Sequence, residues 1–422
     1  MGVTFQDWTR NRTVPNFGTN TGALELAFQG WRRFKEAFAP ELIAKAVRDS
    51  RVPVKACLDP FGGSGTTALA CQFLGVKPIT IEVNPYLADL IEAKLSTYDV
   101  DHIARDHGRV VRIVSANEPE PEAIFTGAPP TFIEPGVKDR YIFCRSVAAK
   151  LAAYRCAIET IKNDAHRRLF RVLLGSVAIM VSNVVVSGKG RRYRGGWRDR
   201  PVKPDLVDKL FAEHVAQAVG DIRRFASRAE RGYRVLRGDS RKLIETLGPI
   251  ELAIFSPPYP NSFDYTDVYN VELWTLGYLA GKKANRALRE ATLSSHVQIL
   301  RNFEPAPDGS KRLTKTIDAL VSVRKQLWNP HIPDMVGGYF ADMAKVLHAI
   351  RHRLTDGGRV YTVIGDSRYA DVQIATAKIL AELSPTLGFR VKFRKPFRSM
   401  RASAQQGGRS ELAESLIVLE AV

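Results

Sequence analysis

The chain has 422 residues, 45% hydrophobic and 25% charged, proportions that exclude a disordered or collagen-like chain. Lys and Arg total 62 against 44 Asp and Glu, a formal net charge of +18. A surplus of that size points to a polyanionic partner, nucleic acid above all. The four cysteines, Cys57, Cys71, Cys144 and Cys156, show no CxxC spacing. That argues against a zinc site and a secreted disulfide framework, so no metal is expected, and the thiols should be reduced and buried in a cytoplasmic protein. Residues 1–17 lack an apolar signal core. The apolar run 169–186 is broken by Arg171, Gly175, Ser176, Ser182 and Asn183. It reads as a buried helix passing into a strand near 184–186, and no membrane partner is expected.

In chain order, Phe34, Phe38, Leu42, Ile43 and Val47 recur at helical spacing, with Pro40 suited to a first turn. A short strand over 55–58 leads into a glycine-rich turn, Asp59-Pro60-Phe61-Gly62-Gly63-Ser64-Gly65-Thr66-Thr67. A helix over 66–74 follows, closed by Gly75, then a strand over 78–82 and a helix over 85–95. Between about 100 and 230 this alternation stops. Helices are predicted over 151–161 and 165–181, and 187–203 carries seven basic residues against one acid, Asp199. A helical stripe from Val207 to Phe225 comes next, with Asp205 as its N-cap.

The α/β pattern resumes with a strand over 233–236, followed by Gly238-Asp239. A strand over 251–255 delivers Ser256-Pro257-Pro258-Tyr259. Residues 275–330 are basic, polar and less regular. A helix over 336–353, a strand over 359–364, a helix over 374–383 and two closing antiparallel strands at 390–393 and 414–419 complete the chain. Strand-turn-helix alternation of this kind predicts an α/β fold, a mostly parallel central sheet with helices on its faces. The interruption adds a largely helical insertion.

Two segments carry the chemistry. In the first, Gly63 and Gly65 permit positive φ and remove β-carbons where a ligand would lie. The helix opening at Thr66 points free amide hydrogens into the same turn. A phosphate-binding P-loop is ruled out because Thr66-Thr67 stands where a lysine is required. Glu82 ends the next strand, where an acid takes the ribose hydroxyls of an adenosine-type ligand. Asp239 stands at another strand end, suited to accept from an adenine amino group.

The second segment is Ser256 to Tyr259. A base amine is a poor nucleophile because its lone pair is delocalised, so it must be held and reshaped rather than merely deprotonated. The Ser256 side chain and the Pro257 carbonyl offer two acceptors, and Pro258 stiffens the backbone. Tyr259 offers a ring for a base flipped out of a duplex, with Phe263, Tyr265 and Tyr269 as further walls.

Together these segments resemble the S-adenosylmethionine-dependent DNA methyltransferases that modify exocyclic amino groups, over roughly 30–95, 233–270 and 345–420. The resemblance implies a Rossmann-like S-adenosylmethionine methyltransferase fold with S-adenosylmethionine as cofactor. It places Asp59, Phe61, Gly63, Gly65 and Thr66 in the cofactor motif, Asp59 near the methionine amino group, with Glu82 on the ribose and Asp239 on the adenine. The segment 31–38 (WRRFKEAF) is similar to a helix that closes over the methionine end, which brings in Phe34. Gly365-Asp366-Ser367-Arg368 resembles a late motif near the target base.

A leading serine in Ser256-Pro257-Pro258-Tyr259, the catalytic segment, implies the 4-amino group of cytosine; the 6-amino group of adenine is the alternative. One departure is the order, because an Asp-Pro-Phe glycine motif usually follows the tetrad in a permuted arrangement. The other is the long stretch between Glu82 and Asp239.

The organisation expected is a methyltransferase domain split over 1–98, 231–274 and 336–422, with insertions at 99–230 and 275–335. Lys189, Arg191, Arg192, Tyr193, Arg194, Trp197 and Arg198 are the candidate nucleic-acid contacts. Double-stranded DNA is the expected partner, and a cognate restriction endonuclease would fit a restriction-modification setting. An RNA base-amine methyltransferase and a non-catalytic nucleic-acid-binding relative are the competing readings.

Overall fold

The computed structural model describes residues 2–18, 22–33, 37–187, 190–199, 201–228, 231–401 and 411–422. Its central sheet is built from β1 (Ala56–Asp59), β2 (Lys77–Glu82), β3 (Arg234–Arg237), β4 (Ile250–Phe255), β5 (Leu354–Gly365), β6 (Phe389–Arg401) and β7 (Glu411–Ala421). The strands lie in the order β3-β2-β1-β4-β5-β7-β6. Neighbours from β3 to β5 pair in parallel, and β7 runs antiparallel to both β5 and β6. This is the mostly parallel α/β sheet that the alternation of elements predicts, in the Rossmann-like arrangement that the family resemblance implies.

Burial explains why these runs are strands. Leu252 and Ile254 of β4 join one apolar core, while Ala253 and Phe255 join the other. Tyr361 and Val363 of β5 divide from Val360 and Ile364 in the same way. Both faces are therefore covered, as a parallel sheet requires. Helices α1 (Pro40–Arg48), α2 (Thr66–Phe73) and α3 (Pro85–Leu95) cover the first face. Helices Lys311–Ser322, Ile332–Arg351 and Thr376–Leu383 cover the second.

The insertion does not stand apart from this core. Helices Arg145–Glu159, Asp164–Val181 and Asp205–Arg224 bury their apolar stripes in the same cluster as α2 and α3. At Gly175 the approach is so close that a β-carbon would lie 2.5 Å from Tyr86 Cε2. Helix Asp164–Val181 passes into the strand Val184–Ser187, as its sequence implies, and that strand pairs with Gly190–Tyr193 in a hairpin that was not predicted. Among the described residues no helix is long and apolar enough to cross a membrane.

Several expectations need correction. α1 starts only at Pro40, so Phe38 precedes the helix; Phe34 lies outside the described residues. Trp31 ends a 3-10 turn and Arg32, Arg33, Ala37 and Phe38 are non-helical, so 31–38 does not form the single helix expected. The N-cap of helix Asp205–Arg224 is Pro204, and Asp205 is its first residue. A helix at Val100–Ala116 escaped notice because Ile103, Val110 and Val114 are its only buried residues. The stretch 275–330 contains helices Lys282–Glu290 and Lys311–Ser322. All four cysteines are free, but only Cys57 and Cys71 are buried, and Cys156 is exposed.

One buried ion pair ties the N-terminal segment to the middle of the chain. Arg32 Nε donates to Glu272 Oε1 at 2.9 Å, with Arg32 only 7% exposed and Glu272 fully buried. Removing one partner strands the other charge in the core. We expect Arg32→Met to destabilise the protein by about 3–5 kcal/mol, and Arg32→Met with Glu272→Leu to recover most of that loss. Urea unfolding of the two variants checks this; equal losses in both would reject the ion pair as the cause.

Candidate active site

The strand order reverses direction between β1 and β4. Loops leaving the carboxyl ends of these two strands diverge there and open a crevice, the usual ligand position in such sheets. The register fixes their relation: Cys57 pairs with Leu252 and Leu58 with Ala253. The glycine turn after Asp59 and the tetrad after Phe255 therefore emerge level with each other. Both line one cavity of about 340 Å³, together with Glu82, Asp239, Phe38 and Glu414. Phe263, Tyr265 and Tyr269 line it as expected, and Ala291 to His296 close it from the second insertion.

The turn is shaped by glycines for two different reasons. Gly63 and Gly65 adopt φ of 51° and 78°. Gly62, which the sequence did not single out, is forced by space, since a β-carbon there would lie 2.3 Å from Thr80 Cγ2 and 2.7 Å from Ile91 Cδ1. No side chain caps α2, so its first amides are left for a ligand. Thr66 is buried at this end, 3.1 Å from Ser64 Oγ.

The carboxylates around the turn are held by backbone donors. Glu82 accepts from the Gly63 amide at 2.7 Å and the Asn84 amide at 2.8 Å. Burial nevertheless pushes its pKa up to about 7, and the Asp59 charge adds to the rise. Asp59 accepts from the Phe61 amide at 3.0 Å, and burial raises its pKa to about 6. Phe61 packs its ring 5.6 Å from that of Phe255, bridging the two loops. Asp239 caps the short helix Ser240–Leu243 and shares its carboxylate with Arg241, at 2.8 Å from Nη2. Arg241 in turn reaches Asp342 at 2.9 Å.

In the tetrad, Ser256 Oγ lies 3.2 Å from the Tyr259 hydroxyl, which donates to Glu414 Oε1 at 2.8 Å. Burial first, and the Glu414 charge second, drive the Tyr259 pKa well above its ordinary value. Tyr259 packs against the second apolar core and the loop is tied down further on, where the Tyr369 hydroxyl donates to the Pro260 carbonyl at 3.1 Å. Asp366 accepts from Gln373 at 3.0 Å and from amides opening the helix Thr376–Leu383. The segment 365–368 thus buttresses the tetrad loop from behind through its hairpin.

Glu414 was missed because it sits in an apolar run near the end of the chain. The reversal of β7 places it opposite Gly365, at the carboxyl edge of the sheet. His296 and Asn84 were missed too. Asn84 was legible as the cap preceding Pro85, and its Oδ1 accepts from the Tyr86 and Leu87 amides. His296 is buried, lies 3.1 Å from Arg301 Nη2, and is pushed down to about 4, mainly by burial.

The basic segment divides. Arg191 Nη2 stands 4.0 Å from Asp267, beside the 3-10 turn Asp267–Tyr269 that borders the cavity, and Arg192 is exposed. Arg194 does not stand free, because it donates to the carbonyls of Ile179, Met180 and Ser182 and closes the end of helix Asp164–Val181. Tyr193 stacks on Trp197 with centroids 5.0 Å apart, and the Arg198 guanidinium lies over Trp197 at 4.6 Å. Lys189 lies outside the described residues.

Residues 4–93 match the N6/N4 methyltransferase family model, described as a DNA methylase. The type II methyltransferase M.AvaI of Nostoc sp. is 25% identical over 407 residues, covering 86% of this chain and 79% of its own. The type II methyltransferase M.BsoBI of Geobacillus stearothermophilus is 23% identical, covering 98% of this chain and 88% of its own. Among solved structures, the glycopeptide N-methyltransferase MtfA complexed with S-adenosylmethionine covers 91% of this chain and 87% of its own, at 8% identity and a TM-score of 0.30. The family-model match and the type II relatives support an amino-methyltransferase family for this chain.

Beneath the glycine turn lies a fully buried lysine. Lys94 Nζ donates to the Ser64 carbonyl at 2.7 Å and to Gln29 Oε1 at 3.2 Å. Burial lowers its pKa from 10.5 to about 7, against a weaker opposing pull from Asp221. Between about pH 7 and 10.5 the unfolded chain then binds a proton at this site that the folded chain does not, so stability rises with pH across that window. Lys94→Met should remove this rise, so that the difference in stability between wild type and variant grows from pH 7 to 10. Chemical denaturation at several pH values measures it, and parallel pH profiles would reject a buried, deprotonating Lys94.

Proposed function

We propose that the chain is a site-specific DNA methyltransferase that moves a methyl group from S-adenosylmethionine to the 4-amino group of cytosine. The observation that carries this reading is the meeting of glycine turn, acids and tetrad in one cavity. S-adenosylmethionine is the cofactor, and its residues here are Asp59, Phe61, Gly63, Gly65, Thr66 and Glu82. Asp59 meets the methionine ammonium, and Glu82 meets the ribose while already bracing the turn through the Gly63 amide. Asp239 serves the adenine end, with Arg241 orienting its carboxylate. Phe38 takes the closing position assigned by sequence to the 31–38 segment, since it lines the cavity.

At the other end a flipped base stacks on Tyr259 and gives its amino hydrogens to Ser256 Oγ and the Pro257 carbonyl. Two acceptors draw the amine nitrogen toward tetrahedral geometry, which frees its lone pair for the sulfonium methyl. Proximity does most of the work, because the reacting atoms are held in line rather than activated by a strong base. The methylated amine takes on the positive charge that the sulfonium loses and releases a proton to solvent, and the neutral thioether product leaves. The leading serine supports cytosine over adenine as target.

The hairpin Val184–Ser187 with Gly190–Tyr193 and the 275–335 insertion flank the cavity mouth and form the surface for duplex DNA. Arg191, Arg192 and Arg198 supply phosphate contacts there. A cognate endonuclease is a natural partner for such an activity, as the names of the type II relatives suggest.

The decisive experiment incubates unmodified duplex DNA with labelled S-adenosylmethionine and maps the modified bases. Methyl on the cytosine 4-amino group within one short sequence is the expected result. Label on adenine would move the target to the alternative base, and label on tRNA but not duplex would overturn the DNA reading. Two variants sharpen it. Tyr259→Ala should lower turnover by about 100-fold or more while cofactor affinity by calorimetry stays near wild type; unchanged turnover would remove the tetrad from the reaction. Arg191→Ala with Arg192→Ala should reduce the slope of log affinity against log salt by about 1 to 2, and an unaltered slope would remove this hairpin from the phosphate contacts.

A further inference from the structure

We infer that Glu414 fixes the direction of the hydrogen-bond chain Ser256–Tyr259–Glu414, so that Ser256 meets the target base only as an acceptor. The pocket thereby takes an amino group and rejects a carbonyl in the same place. This deepens the reading above and rests on it.

The argument is one of counting protons. Glu414 is 2% exposed and its Oε1 lies 2.8 Å from the Tyr259 hydroxyl. The Tyr259 hydroxyl is the donor of that bond, and a phenol has a single proton to give. That proton is therefore committed to Glu414. Tyr259 holds it firmly, because burial and the neighbouring carboxylate both oppose its ionisation. Ser256 Oγ is 3.2 Å from the same phenol oxygen, which has only lone pairs left for it. The serine proton thus points to Tyr259, and the Ser256 lone pairs are what remains for the cavity.

A neutral hydroxyl pair without Glu414 would have no such direction. Either hydroxyl could donate, and Ser256 could turn its proton into the pocket. The carboxylate removes that freedom from a distance of two hydrogen bonds. Glu414 is accordingly a positioning residue, not a group that touches the base. Its position depends on the fold's one reversed strand, since only antiparallel β7 brings residue 414 to the edge where β4 ends.

An amino group donates to such an acceptor. A ring carbonyl would set lone pairs against lone pairs and leave both without a partner. The same base scaffold with oxygen in place of the amine should therefore be excluded by about tenfold or more. For cytosine that analogue is uracil, and for adenine it is hypoxanthine.

The test uses a duplex carrying the methylated site found by mapping, and the same duplex with the keto analogue at the target position. Methyl transfer, cofactor affinity and inhibition by the keto duplex are measured for wild type, Tyr259→Phe, Glu414→Gln and the double variant. Each single change should lower kcat by about tenfold, with duplex KM and cofactor affinity within about twofold. The double variant should be no worse than the more affected single one, because both break the same chain. Exclusion of the keto duplex should shrink in every variant, a result that general loosening of the loop does not produce. Additive losses, or undiminished exclusion in Tyr259→Phe, would overturn the inference, and Tyr259→Phe decides alone if Glu414→Gln fails to bind cofactor. If wild type transfers no methyl to duplex DNA, the functional reading fails and takes this inference with it; if it does and exclusion persists in the variants, this inference alone fails.

Discussion

Parallel pairing of β1 with β4 is the constraint from which the site follows. Because Leu58 stands beside Ala253, the two strands end together, and the chain must leave them in opposite directions. A glycine turn on one side and a proline-stiffened turn on the other then face a common space. On the proposed reading neither motif acts alone, since one offers room for a cofactor and the other acceptors for an amine. Parallel strands cannot be joined by a tight turn, so a long connection between the motifs is tolerated. Here that connection has grown into helices that extend the same core, which is why the cavity walls come from segments far apart in sequence.

The electrostatics of the cavity suit a cationic occupant. Burial lifts Asp59 and Glu82 to about 6 and 7, and the Asp59 charge adds to the rise at Glu82. Backbone amides offset only part of that cost. A ligand carrying an ammonium and a sulfonium would supply the missing counter-charge and draw both acids back toward their ionised forms. Product release follows the same logic, because transfer of the methyl group removes the sulfonium charge. On the proposed reading the basic surface outside has the opposite task, gathering phosphates.

Much of this was readable from the sequence, and the exceptions share a cause. Apolar runs bounded by Gly or Pro located β1, β2, β4 and β5, since a strand buried on both faces has no other signature. Pro85 and Leu95 marked the ends of α3, and Pro85 stands in its first turn, where a missing amide hydrogen costs nothing. The helix Val100–Ala116 was lost because a mostly solvated helix shows few apolar positions. The 31–38 segment was misread because Phe34 and Phe38 continue the spacing of α1 across Pro40, and periodicity alone does not register where a helix starts. Gly62 and Glu414 were invisible for a different reason. What makes each matter is a neighbour supplied by another part of the chain: Thr80 and Ile91 for Gly62, and Tyr259 for Glu414.

The basic segment shows how a composition argument needs the structure to be divided correctly. Its arginines are indistinguishable by sequence, yet Arg194 is spent on three carbonyls at a helix end while Arg192 is exposed. The first use makes the second effective. By closing the end of helix Asp164–Val181, Arg194 fixes where the hairpin leaves that helix, and the hairpin then reaches Asp267 through Arg191. Asp267 begins the turn that ends in Tyr269, a wall of the cavity. A phosphate bound by the hairpin would compete with Asp267 for Arg191 and so act on the turn beside the base pocket. On the proposed reading, contact with the polyanion and the shape of the pocket would be coupled through Arg191, without any element having to span the distance between them.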